Sequence, residues 1–147
     1  PEYRFERLGR IGHALFISSR YSRSVTVPVA SDDLQNFMLV LPWDDDILSG
    51  SKNWASIISG HRGGTTRAKN YNFSRGLVVG GACIGVLPDY SRKMDRNITL
   101  VPGFLEDLED KDVYLVIKST LTRNPQALDI RRLIKKSFLD KSDWLDK

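Results

Sequence analysis

Apolar and polar positions along the chain follow two periods. Alternation, or a short unbroken apolar run, predicts strands at Tyr3–Leu8, Gly12–Ser18, Phe37–Leu41, Lys52–Ile58, Thr65–Lys69, Ile84–Leu87, Asn97–Val101 and Asp112–Lys118. The clearest are Phe37–Leu41 (FMLVL), stopped by Pro42, and Asp112–Lys118 (DVYLVIK). A helix is predicted over Phe73–Gly80, capped by Asn72 and closed at Gly80-Gly81. A second runs from Asn124-Pro125 to about Asp140. Asn124 accepts a backbone N–H there, and Pro125 sits where the helix needs no N–H. Ala127, Ile130, Leu133, Ile134 and Phe138 form an apolar stripe on it, with Arg131, Arg132, Lys135 and Lys136 on the remainder. Ser31 is the expected cap of a short turn at Ser31-Asp32-Asp33-Leu34, and a one-turn helix is expected near Asp89–Arg92. Pro28 interrupts Ser24–Ala30, Trp43–Gly50 reads as a loop and Gly63-Gly64 as a turn. Strands alternating with helices predict an α/β fold with a mixed sheet.

Composition narrows the class. The chain has 147 residues, 41% of them hydrophobic and 10% aromatic, enough to build a core and too apolar for disorder. No apolar run reaches the ~20 residues of a membrane span, so no membrane partner is expected. The single cysteine, Cys83, excludes a disulfide framework. Pro1, Glu2, Arg4 and Glu6 form no apolar leader, which points to a cytoplasmic protein. The absence of a first Met leads to the expectation that the sequence begins inside a longer polypeptide. The net charge of +4 does not read as a nucleic-acid footprint. Basic surpluses at Arg4–Arg23, Arg62–Arg75 and Arg131–Lys136 are answered by Asp44–Asp46 and Glu106–Asp112, with no zinc-finger, RNP or P-loop pattern beside them.

Few residues carry chemistry. A helix start at Asn70–Phe73 presents free N–H groups and partial positive charge, and the Asn70 and Asn72 amides flank it. Capping accounts for only one of the two. Trp43 can stack on a planar ligand and donate its indole N–H. The adjoining Asp44, Asp45 and Asp46 lack the spaced oxygen ligands of a calcium loop and read as a solvated turn. Cys83 reads as a small buried apolar residue. His13 and His61 have no carboxylate constellation around them in sequence, and no Gly-x-Ser-x-Gly elbow occurs. No catalytic residue, metal or cofactor is expected.

The order of the pieces carries a resemblance. Asn72–Tyr90, NFSRGLVVGGACIGVLPDY, is similar to the effector-binding domain of LysR-type transcriptional regulators, where a helix is followed by Gly-x-Gly-Ile-x-x-Leu-Pro. One departure is Gly81-Ala82-Cys83-Ile84 where the family often has Gly-x-Gly. Phe5–Tyr21 resembles the segment crossing from the first lobe to the second. Ser31-Asp32-Asp33-Leu34 with Phe37–Leu41 resembles the family's Asp-Leu turn and next strand. Val113–Lys118 looks like the strand that crosses back, and Pro125–Leu139 like the terminal helix.

The resemblance implies a two-lobed fold like that of periplasmic solute-binding proteins, with a mixed five-stranded sheet flanked by helices in the lobe and a small-molecule site in the cleft. Residues 1–18 would then be a first-lobe remnant and first crossover, with Gly12–Ser18 as the crossover strand. Residues 19–112 would be the second lobe, and 113–147 the return crossover and last helix. About 70–80 further first-lobe residues are expected before Pro1. The implied effector residues are Trp43, Asp44, Asn70, Tyr71, Asn72 and Phe73 from the second lobe, with Ser18, Ser19, Ser119 and Thr120 at the hinge. The implied partners are a small effector, a carboxylate or aromatic, and DNA only through a winged helix-turn-helix domain outside this sequence. A homo-oligomer is expected, since a terminal stripe without its lobe invites association. The rival reading is a solute-binding protein or a two-lobed enzyme of the same architecture.

Overall fold

The computed structural model describes residues 1–24 and 26–141. Val25, within the Ser24–Ala30 segment, and residues 142–147 of the terminal segment lie outside them. In chain order the elements are β1 (Tyr3–Ile11), β2 (His13–Ser18), α1 (Ser19–Ser24), β3 (Leu39–Leu41), α2 (Lys52–Gly60), β4 (Thr65–Arg67), α3 (Tyr71–Val79), β5 (Ile84–Pro88), α4 (Ser91–Met94), β6 (Ile98–Val101), β7 (Lys111–Lys118) and α5 (Pro125–Asp140). Short 3-10 turns occur at Asp33–Asn36, Asp45–Ile47 and Ser119–Leu121. The chain divides into two units, Gly12–Glu109 and Pro1–Ile11 with Asp110–Lys147.

The larger unit is built on the mixed five-stranded sheet that the resemblance implies, in the order β4-β3-β5-β2-β6. β3 runs parallel to β4 and β5, whereas β2 runs antiparallel to β5 and β6. Side chains alternate across the sheet, so two apolar layers form. Leu15, Ile17, Leu39, Ile84 and Val86 face Trp54 and Ile57 of α2. Phe16, Val40, Leu87 and Ile98 belong with Val78 of α3 to the other layer. The connection β3–α2–β4 moves one way along the sheet and β4–α3–β5 moves back. Right-handed crossovers therefore place α2 and α3 on opposite faces.

Two glycines fix how closely α3 packs. A Cβ on Gly85 would overlap Val40 Cγ1 and stand 2.8 Å from Val78 Cγ2. Gly81 ends the helix in the left-handed region, at φ +78°. Ala82 and Cys83 then both donate their N–H to the Leu77 carbonyl. The departure from Gly-x-Gly thus leaves the turn intact, because only Gly81 needs positive φ. Asp95 is buried and ties α3 to the start of β6, accepting from Arg75 Nη2 at 2.6 Å and from the Asn97 N–H at 3.0 Å. Asp95→Ala strands the half-buried Arg75 guanidinium. It is expected to cost about 1–2 kcal/mol in urea denaturation, with the slope unchanged.

Four local expectations are corrected. Lys52–Ile58, expected as a strand, is helix α2. Ser51 Oγ accepts the Trp54 N–H, and the Asp107 carboxylate accepts from Ser51 Oγ and the Asn53 N–H. These bonds hold the Asp107 carboxyl below the usual range, the Asn53 N–H contributing most. Ser31 does not cap its turn with its hydroxyl. Asp33 folds back instead and accepts from the Val29 and Ala30 N–H groups, each at 3.0 Å. The cap of α3 is Asn70 and not Asn72. β2, expected as a crossover strand, is a member of the five-stranded sheet. β7 pairs instead with β1.

The smaller unit is an antiparallel ribbon and a helix. β1 and β7 pair from Tyr3↔Lys118 to Ile11↔Lys111, with a bulge at Leu8 between Arg7↔Tyr114 and Gly9↔Val113. α5 has the predicted bounds. Asn124 Oδ1 accepts the Ala127 N–H at 3.0 Å, and Pro125 lies in the first turn. Its roll is set by Glu6 of β1, which accepts from both Arg131 and Lys135. Ala127, Ile134 and Phe138 are consequently half-buried, while Ile130 and Leu133 stay 58% and 65% exposed. No described residue of this unit is buried.

Candidate functional site

β3, β4 and β5 point their carboxyl ends to one edge of the larger unit, where open α/β sheets take their ligands. Three segments leave the sheet there: Pro42–Trp43 after β3, Ala68–Asn70 after β4, and Asp89–Tyr90 after β5. They bring three aromatic rings together. Trp43 meets Tyr71 edge to face, with centroids 5.6 Å apart, and Tyr71 lies 6.4 Å from Tyr90. Tyr71 Oη and Ser91 Oγ are 3.1 Å apart and share a hydrogen bond. Burial, with Tyr71 adding to it, pushes the Tyr90 hydroxyl above the usual phenol range.

The start of α3 supplies the polar half. Asn70 Oδ1 accepts the Phe73 N–H at 3.0 Å, and the Asn70 carbonyl accepts the Ser74 N–H. The Tyr71 and Asn72 N–H groups have no acceptor among the described residues. Asn72 and Phe73 are exposed beside them. Trp43 is held from beneath. Arg67 donates from Nη1 to the Pro42 carbonyl at 3.1 Å and to Asp45 Oδ1 at 2.6 Å, which pins the loop on either side of the indole. Asp44 accepts the Asp46 N–H at 2.9 Å and so closes the turn that follows. This edge can hold a planar body against the rings and an anionic or polar group on the N–H groups and the Asn72 amide.

The structure thus brings together Trp43, Asn70, Tyr71, Asn72 and Phe73, with Asp44 in the adjoining turn. Ser18 and Ser19 are elsewhere. β2 runs antiparallel to β5, so its carboxyl end lies at the opposite edge of the sheet. Ser18 is buried there, donating to the Val79 carbonyl at 3.3 Å, and Ser19 Oγ shares a bond with Thr99 Oγ1 at 3.2 Å. Ser119 and Thr120 belong to the smaller unit. Ser119 donates to the Pro1 carbonyl at 2.6 Å, tying down the end of the ribbon, and Thr120 is exposed. Tyr90, Ser91 and Arg67 were missed by sequence reasoning. The signal for Tyr90 was its place just past Pro88, where a buried strand ends. Arg67 carried no local signal, since its partners are on another loop. Among the described residues no group of three or more His, Cys, Asp or Glu is placed to hold a metal, and no helix is long and apolar enough to cross a membrane.

No protein-family model matches the sequence, and no curated protein matches it. Solved structures do. The regulatory domain of MexT, a transcriptional activator in Pseudomonas aeruginosa, superposes with a TM-score of 0.64 at 14% identity, over 92% of this chain and 67% of that one. The effector domain of the transcriptional regulator AmpR of Pseudomonas aeruginosa gives 0.65 at 11%, over 97% and 68%. The effector-binding domain of QuiR in complex with shikimate gives 0.57 at 14%, over 94% and 64%. At these identities the likeness is one of fold. The chain shares the fold of these neighbours, which are effector-binding domains of LysR-type regulators. These neighbours are domains of transcriptional regulators rather than enzymes.

Proposed function

We propose that this chain is the ligand-sensing part of a LysR-type transcriptional regulator, and that it binds a small ring-bearing carboxylate without transforming it. The observation that carries this reading is the Trp43–Tyr71–Tyr90 cluster beside the free N–H groups of α3. The rings take the body of the ligand, and the Tyr71 and Asn72 N–H groups with the Asn72 amide take its carboxylate. Shikimate, held by the similarly folded QuiR domain, belongs to this chemical class. Binding alters DNA affinity, through a winged helix-turn-helix domain on the same polypeptide and in a homo-oligomer, only by the difference in its affinity for two conformations.

NMR titration of the 147-residue chain with shikimate, benzoate and 4-hydroxybenzoate tests this. At least one is expected to shift the amides of Trp43, Asn70–Phe73 and Tyr90. Trp43→Ala is expected to weaken that ligand about tenfold through lost stacking. Saturable binding that leaves those amides unmoved would count against the reading.

A further inference from the structure

We infer a second ligand site, in the smaller unit, for a small organic anion with an apolar body. A cavity of about 310 Å³ lies between the ribbon and the start of α5, within the size range of small-molecule sites. Ile117, Leu121 and Leu128 give it apolar walls, and Arg4 and Arg131 border it with two guanidinium groups. Its one carboxylate, Glu6, is already engaged at both oxygens, by Arg131 at Oε2 and by Lys135 at Oε1. Arg131 donates to Glu6 through Nε alone among the described bonds, and Arg4 has no ion-pair partner among the described residues. Each guanidinium offers five N–H donors, so the cavity holds more cationic donors than it satisfies. Ala127 also lines it, in the first turn of α5, where the helix adds partial positive charge.

These features select one chemical class. A cation is repelled. A neutral apolar molecule makes no use of Arg4, and inorganic phosphate leaves the three apolar side chains in water. A carboxylate on a ring or branched chain satisfies both halves. The site shares no residue with the Trp43 edge and does not depend on it. Because no described residue of the unit is buried, such a ligand would also help to hold α5 on the ribbon.

NMR titration of the 147-residue chain with phenylacetate tests the site, with phenylacetamide, acetate and inorganic phosphate as comparison arms. Phenylacetate is expected to shift the amides of Leu121, Thr122, Ala127 and Leu128 saturably, and each comparison arm to bind at least about tenfold more weakly. Arg4→Gln, at an exposed position, is expected to lower affinity about tenfold. Ala127→Leu keeps a good helix former and fills the space, so it should abolish binding, while Trp43→Ala leaves it unchanged. The inference is overturned if phenylacetamide or phosphate binds as well as phenylacetate, or if Arg4→Gln or Ala127→Leu retains full affinity. It is equally overturned if these amides stay unmoved at ~10 mM phenylacetate, or if Trp43→Ala abolishes the shifts.

Discussion

Gly85→Val is expected to lower the stability of the larger unit by about 2–3 kcal/mol, and its melting temperature by roughly 10–20 °C. β5 passes directly beneath α3, and a side chain at Gly85 runs into Val40 Cγ1 from β3 and Val78 Cγ2 from the helix. Neither neighbour has room to move, since Val40 and Val78 are both fully buried. α3 must lift, and it carries the N–H groups and the Tyr71 ring of the candidate site. The same variant should therefore broaden the Asn70–Phe73 amides before global unfolding. Gly76→Ala is the matched comparison. Gly76 lies in the same helix with nothing within 4 Å of a built Cβ, so alanine there should raise stability by about 0.5–1 kcal/mol. Thermal unfolding followed by circular dichroism checks both. Equal losses in the two variants would mean that the packing beneath α3 is not the controlling contact.

Acid release of α5 is the second large effect. Arg131 first and Lys135 next, each donating to the carboxylate, bring the Glu6 pKa down to about 2 from its ordinary 4.5. A carboxylate with a lowered folded-state pKa contributes stability above its unfolded pKa and loses that contribution as pH falls through the folded one. The anchoring of α5 should hold at neutral pH, weaken below pH 4.5 and be gone near pH 2. Since no described residue of this unit is fully buried, only half-buried side chains such as Ala127, Ile134 and Phe138 remain to hold α5 once the two ion pairs are lost. Glu6→Gln should raise hydrogen exchange along α5 at pH 7 and remove the acid transition. Added salt should raise exchange in the parent chain, because Arg131 and Lys135 are well exposed. An α5 transition centred at pH 4.5 would show that Glu6 does not hold the helix.

The roll of α5 illustrates what a linear pattern leaves open. The stripe Ala127, Ile130, Leu133, Ile134 and Phe138 is present, and the helix bounds are as predicted. Only half of the stripe is covered, because Glu6 lies 125 residues away in sequence and turns Arg131 and Lys135 toward the ribbon. The candidate site was legible to a similar degree. Trp43 and Asn70–Phe73 announced themselves as an indole after a buried strand and amides before a helix. Tyr90 became part of the site only when parallel pairing aligned the ends of β3, β4 and β5.

The sequence by itself determined the mixed α/β class, helix α5 with its Asn124 cap, strands β5 and β7, and the helix stop at Gly81. Each is decided by steric or hydrogen-bonding preferences of neighbours within a turn or a strand. Tertiary structure reinforced the helix at Lys52–Gly60, since beside the local Ser51 cap the Asp107 carboxylate that receives the Asn53 N–H comes from 54 residues further on. It also decided that β1 and not β2 pairs with β7, and that Ser18 faces away from Trp43. These outcomes depend on hydrogen-bond and charge partners distant in the chain, and no local pattern of apolar and polar residues specifies a distant partner.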